Sequence, residues 1–171
     1  MASAIRWKPA FPPLRPDGCR LHLAFQGPLA HPDDDAFAAA RHVRLWTLDA
    51  RTGALLAQYL YELDPPATFL RDSAEGRVKF EDLKLSEMIC LADNRLLLLE
   101  RGSATTKFYV VELASNRALP PEHAEESTRP TVEQMSAADT LPLPLLSKRL
   151  LLSTDDHPEI SRDLEGMVLL D

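Results

Sequence analysis

The sequence predicts an all-β chain of antiparallel meanders, a β-propeller-like array. Three observations lead there. Short apolar stretches recur between turn signals, at Cys19–Gln26, Val43–Leu48, Ala54–Leu63 and Leu85–Leu113. Nowhere does the apolar spacing of a helix persist over several turns. Arg95 is followed by four consecutive leucines, Leu96–Leu99, too apolar for a strand with one wet face. Periodicity alone would also allow a short buried helix there, but the Asp93-Asn94 turn just before it favours an inner strand. No exact internal repeat is visible, which leaves a sandwich as the other architecture of this class.

In chain order, residues 1–16 carry prolines at 9, 12, 13 and 16 and read as an irregular N-terminal segment. Asp17-Gly18 marks a tight turn, and Cys19–Gln26 alternates as a strand. Gly27–Ala40 reads as a loop ending in an alanine-rich stretch. A hairpin follows, with arms at Val43–Leu48 and Ala54–Leu63 around the turn Asp49–Gly53, and Asp64-Pro65-Pro66 stops its ladder. Phe69–Phe80 reads as a loop with a short strand at Arg77–Phe80. The meander Leu85–Leu113 comes next. Ala114–Pro144 is a long loop rich in Pro, Glu, Ser, Thr and Ala, with a short helix expected at Thr131–Ala138. Leu145–Ser153 returns to strand character, Thr154–Arg162 is an acidic loop, and Leu164–Leu170 reads as a final strand. Both terminal strands lack an evident partner, so the sequence reads as a partial β domain over residues 17–171, with sheet edges open to self-association.

Composition narrows the function classes. A net charge of −7 and the absence of a basic stripe argue against nucleic-acid and anionic-membrane partners. No apolar run reaches the length of a membrane span, and Met1–Pro16 lacks the apolar core of a signal peptide. Cys19 and Cys90 sit in apolar strand contexts that favour buried thiols, although sequence does not decide between thiols and a disulfide. The five histidines show no HxH or HExxH spacing, and there is no GxSxG elbow or P-loop. Asp155-Asp156-His157 lacks the glycine and alternating ligands of an EF-hand and reads as an acidic turn.

The candidate chemistry centres on Glu100-Arg101, an acid and a base at the end of the apolar strand. Adjacent strand residues face opposite sides, so the two do not simply pair with each other. Either Glu100 faces a pocket while Arg101 clamps an anion, or each makes a buried salt bridge that locks neighbouring sheets. In a simple register across the Asp93-Asn94 turn, Glu87 lies near Glu100, where two carboxylates raise one pKa or invite a cation. Glu165, before Gly166, is the third carboxylate, with the glycine permitting close approach of a backbone or ligand. The candidate catalytic set is therefore Glu87, Glu100, Arg101 and Glu165, and the same three glutamates are the candidate Ca²⁺ ligands. Gln26, beside the rigid Gly27-Pro28 turn, and Arg41 and Arg44 are candidate substrate-binding residues.

Four motifs in order resemble the phytase-like family, the "esterase-like activity of phytase" domain of bacteria and plants. They are DGCRLHLAFQGPL (17–29), RHVRLWTLDARTGALLAQYLYELD (41–64), LSEMICLADNRLLLLER (85–101) continued by FYVVEL, and LEGMVLLD (164–171). The family's N-terminal strands, its export signal and its "N-D-N" element beyond the last motif are absent from this sequence. The resemblance implies a propeller-like fold and a hydrolase module for phosphate or carboxylate esters, with Ca²⁺ as the implied cofactor and export as the usual destination. It also implies that Glu165 opens an inner strand facing the pocket of Glu87 and Glu100. The alternatives are a non-catalytic propeller that binds ligands or proteins, and an inactive truncated product.

Overall fold

Turn chemistry and strand alternation build two antiparallel sheets. The computed structural model describes residues 20–29, 34–76, 78–92, 94–124, 129–135 and 142–170. The first sheet has the order β1-β2-β3, with β1 (Arg20–Ala24), β2 (His42–Asp49) and β3 (Leu55–Glu62). The turn between β2 and β3 is closed by Asp49, whose Oδ1 accepts the Arg51 and Thr52 N–H groups at 2.8 Å each. Gly53 completes it at φ 73°, a left-handed conformation that glycine adopts without a Cβ penalty. The second sheet has the order β4-β5-β6-β7, with β4 (Lys84–Ala92), β5 (Arg95–Arg101), β6 (Thr106–Glu112) and β7 (Lys148–Ser153). The chain is thus all-β, and each sheet is a meander of the kind expected. The leucine run lies in β5, an inner strand paired on both sides.

The two sheets share one core. Val43, Leu45, Tyr59 and Tyr61 from the first meet Leu85, Met88, Leu96, Leu98, Tyr109 and Val111 from the second. A backbone bond from Leu85 N–H to Gln26 O, 2.8 Å, joins the start of β4 to the chain just beyond β1. The long 114–144 excursion also ties the sheets. Leu119 donates its N–H to Gln58 O, Leu146 donates to Leu60 O, and Leu145 makes a lone parallel bridge with Leu60. Leu119, Val132 and Leu60 form a small second core beneath it. The free edge of β3 is thereby covered, the usual answer to an open edge.

Several local expectations are corrected. The alanine-rich end of the first loop is a helix, α1 (Asp34–Ala39), because two aspartates in its first turn and good helix formers outweigh the loop composition. Residues 70–75 form α2 (Leu70–Glu75), not a loop leading into a strand. Its first N–H groups, on Leu70 and Arg71, are accepted by the Asp155 carboxylate at 3.0 and 3.1 Å, a tertiary cap invisible to local pattern. Phe80–Asp82 is a single 3-10 turn. The helix expected at Thr131–Ala138 is a 3-10 turn over Val132–Gln134, and residues 136–141 lie outside the described residues. Leu164–Leu170 forms no strand and leaves Val168, Leu169 and Leu170 exposed. Residues 1–16, Asp17-Gly18, Cys19, Arg77 and Asp93 also lie outside the described residues. No described helix is long and apolar enough to cross a membrane.

Candidate functional site

The end of β5 has two chemically different faces, because Glu100 and Arg101 point to opposite sides of the strand. Glu100 sits opposite Leu85 on β4 and Lys107 on β6, on the face that carries Leu96 and Leu98 into the shared core. Arg101 belongs to the other face.

Inside, Glu100 is fully buried and completely partnered. Its Oε1 accepts the Asp64 N–H at 2.7 Å, while Oε2 accepts the Tyr61 hydroxyl and the Lys148 ammonium, the latter at 3.1 Å. Asp64, just past the end of β3, receives Lys107 at 2.7 Å, the Tyr109 hydroxyl at 2.5 Å and Lys148 at 2.5 Å. Lys148 also donates to Glu62 O at 2.7 Å and lies 4.5 Å from the centroids of both the Tyr61 and Tyr109 rings. Two ammonium groups thus face two carboxylates at the junction of the sheets, with the tyrosines filling the remaining lone pairs. Burial acts to raise the Asp64 pKa, but the hydrogen bonds from Lys107, Lys148 and Tyr109 prevail and bring it down to about 2. For Glu100, burial wins and pushes the carboxyl above its usual range, against the opposing pull of Lys148, Tyr61 and the Asp64 N–H. Burial likewise raises both phenols, helped by the neighbouring Glu100 and Asp64. This is an inter-sheet lock built on Glu100, whose partners Tyr61, Asp64, Lys107, Tyr109 and Lys148 pattern reading did not single out. The legible signal was a lone lysine in each of two apolar strands, β6 and β7, since an inward-facing lysine demands an acid.

Outside, the β4–β5 ladder shifts register twice, at Leu91 so that Glu87 faces Leu99, and at Ser86 so that Leu85 faces Glu100. The expected Glu87–Glu100 juxtaposition is corrected by the extra residue at Leu91, between the turn and Glu87: Glu87 is turned to the Arg101 face. There the Arg101 side chain, 9% exposed, donates from Nε to Ser86 Oγ at 2.8 Å and from Nη1 to Gly102 O at 3.0 Å. Its Nη2 is paired with Glu165, and Asp163 Oδ1 stands 3.9 Å from Nη1. Glu87 Oε1 accepts the Met88 N–H at 2.8 Å, and its Oε2 looks toward Gly166. A side-chain carbon at Gly166 would meet that oxygen at 4.0 Å, an ordinary contact, so crowding does not require the glycine there. Arg101, Glu87 and Glu165 therefore share one neighbourhood, and Glu100 does not belong to it.

The turn beside Arg101 is itself braced. Asp72, on α2, accepts three successive N–H groups, from Ser103, Ala104 and Thr105, at 2.7 to 2.9 Å. Asp155 caps α2 and takes the Thr105 hydroxyl at 2.7 Å, so the acidic turn expected at 155–157 has a structural task.

The other candidates are engaged elsewhere. Gln26 contributes its backbone oxygen to the bond with Leu85. Arg41 pairs with Glu62 at 3.3 Å near the surface. Arg44 is buried and binds Glu133 at 3.1 Å, Gln58 at 3.2 Å and His123 O at 3.2 Å. That pair clamps the 114–144 excursion onto β2. Nearby His42 is buried with Nε2 unpartnered, and burial, reinforced by the Arg41 charge, lowers its pKa to about 4. Cys90 is half-buried, and its Sγ lies 3.1 Å from Ala92 O. Glu87, Glu100 and Glu165 do not converge on one point, so they form no common Ca²⁺ cage. Among the described residues, no group of three or more His, Cys, Asp or Glu side chains is arranged to hold a metal ion.

Fold and site define an all-β protein with a braced arginine presented at the end of an inner strand. No curated protein and no solved structure matches the chain. The family model described as "Phytase-like: Esterase-like activity of phytase" matches residues 14–171, and the chain belongs to that family.

Proposed function

We propose that the chain is a hydrolase module for phosphate or carboxylate esters, with Arg101 as its anion clamp. The observation that carries this reading is the Arg101 guanidinium. It is buried to 9% exposure and fixed by neutral oxygens of Ser86 and Gly102, and its remaining donors turn toward Glu165 at the surface. A guanidinium fork held in this way matches the paired oxygens of a phosphate or carboxylate and stabilises charge that grows during ester cleavage. Glu87, on the same face, is the carboxylate positioned to accept a proton from an attacking water. Glu100 serves the lock on the opposite face. No step in this reading runs through a metal.

The second reading, a non-catalytic module, draws on the pairing of Arg101 with Glu165, which leaves the charge already neutralised. Release of p-nitrophenol from its phosphate and acetate esters by the folded chain separates the two. Hydrolysis should appear, and Arg101→Met should lower kcat/KM about 100-fold or more, on the scale of losing one charge-stabilising donor. A folded chain that turns over neither ester, or keeps full turnover in Arg101→Met, overturns the hydrolase reading in favour of the binding module.

A further inference from the structure

We propose that Glu165 is an internal stand-in for the ligand's anion: the Arg101 site binds a small oxyanion, and the 163–166 segment closes it until that oxyanion displaces the carboxylate. The inference rests on Arg101 being the anion clamp, as proposed above, and adds how the site is regulated.

Arg101 needs an anion. Its hydrogen bonds to Ser86 and Gly102 go to uncharged oxygens, and an almost buried guanidinium without a counter-charge is costly. Glu87 shares this face but turns its Oε1 to the Met88 N–H, and the other neighbouring acids are committed elsewhere. Glu100 points to the other face and holds Lys148, while Asp72 is taken by three backbone N–H groups. Glu165 meets the need by direct contact, and Asp163 supports it at 3.9 Å.

These two acids differ from Arg101 in their surroundings. Their side chains are 72% and 73% exposed, on a stretch with no strand or helix hydrogen-bond pattern. Asp163 turns that stretch toward the site with a left-handed φ of 56°. The cation is thus fixed by an inner strand, while its anion is carried by chain outside any strand or helix, anchored beside Asp163 by the exposed Arg162–Glu75 ion pair. When Glu165 leaves, water rehydrates it at small cost, whereas Arg101 regains its balance only from another anion. A carboxylate and a phosphate offer a guanidinium the same pair of oxygens, so the vacated place fits a phosphate monoester or a carboxylate of similar width.

The test measures binding of inorganic phosphate, and separately of acetate, to the full chain by calorimetry. Glu165→Ala should bind phosphate at least tenfold more tightly than the parent chain, with Asp163→Asn in between, and adding Arg101→Met to Glu165→Ala should abolish the gain. Equal phosphate affinity in the parent and Glu165→Ala overturns the proposal, as does a gain that survives Arg101→Met. Tighter binding of acetate with none of phosphate would overturn the phosphate ligand while keeping the displaced carboxylate. Should Glu165→Ala fail to fold, amide NMR of the unmodified chain decides. Phosphate should shift the Glu165 and Gly166 signals together with the Arg101 Nε–H, and unmoved signals overturn the proposal. Because no turnover is read, a phosphate gain in a chain that hydrolyses nothing keeps this inference while sinking the hydrolase. Unchanged binding in an active chain does the reverse.

Discussion

Glu100→Gln tests the inter-sheet lock most directly, because the substitution keeps the side chain's shape and changes only its hydrogen bonding and charge. Glutamate presents two acceptor oxygens, one to the Asp64 N–H and one to both Tyr61 and Lys148. Glutamine presents one oxygen and one NH₂. If the oxygen stays with Tyr61 and Lys148, the NH₂ confronts the Asp64 N–H, donor against donor. If it turns, the NH₂ confronts a hydroxyl and an ammonium. An orphaned buried donor costs about 1–3 kcal/mol, and breaking a buried ion pair by removing one partner about 3–5. Lys148 keeps Asp64 at 2.5 Å, which reduces the second cost, so the net loss should be about 2–4 kcal/mol. For a chain of 171 residues this lowers Tm by about 5–15 °C and moves the urea midpoint without changing the slope. Urea titration at pH 7, followed by circular dichroism, measures it. A loss below about 0.5 kcal/mol would refute the reasoning, because the lock would then need neither the Glu100 charge nor its second acceptor oxygen.

Acid should destabilise the fold in two windows. His42 prefers its neutral form when folded, so the unfolded chain binds the extra proton, and stability falls as pH drops from 6.5 toward about 4, by up to roughly 3 kcal/mol. Asp64 holds its charge when folded, so its contribution of up to roughly 2 kcal/mol is present above pH 3.8 and lost toward about 2, while Glu100, with its raised pKa, works in the opposite sense. Thermal melts across pH, repeated on His42→Leu, check this; a variant with the same slope between pH 6.5 and 4 would rule out the His42 contribution. Gly102→Ala should destabilise by about 1–3 kcal/mol, because the new carbon would lie 2.7–2.8 Å from an Asp72 carboxylate tethered by three N–H bonds. Equal urea midpoints for Gly102→Ala and the parent chain would show that Asp72 moves aside at no cost.

The sequence by itself determined most of the strands and their local connections, although the strand it read at Leu164–Leu170 does not form. Alternation, turn residues and the leucine run located the β2–β3 hairpin and the β4–β5–β6 meander, because strand faces and tight turns are encoded within a few neighbouring residues. It also singled out Glu100 and Arg101 as an adjacent pair that must face opposite ways. The tertiary structure decided what each one meets. A one-residue register shift at Leu91 moved Glu87 to the face of Arg101, and no local pattern encodes a bulge of one residue. The lock brings Asp64, just past β3, to Glu100, Lys107 and Lys148 of the second sheet, a meeting made only when the two sheets pack. Helix α2 stands where the sequence read as a loop, because its cap comes from Asp155, more than eighty positions away. Charge pairing is a property of distance in space, and a single sequence supplies only distance along the chain.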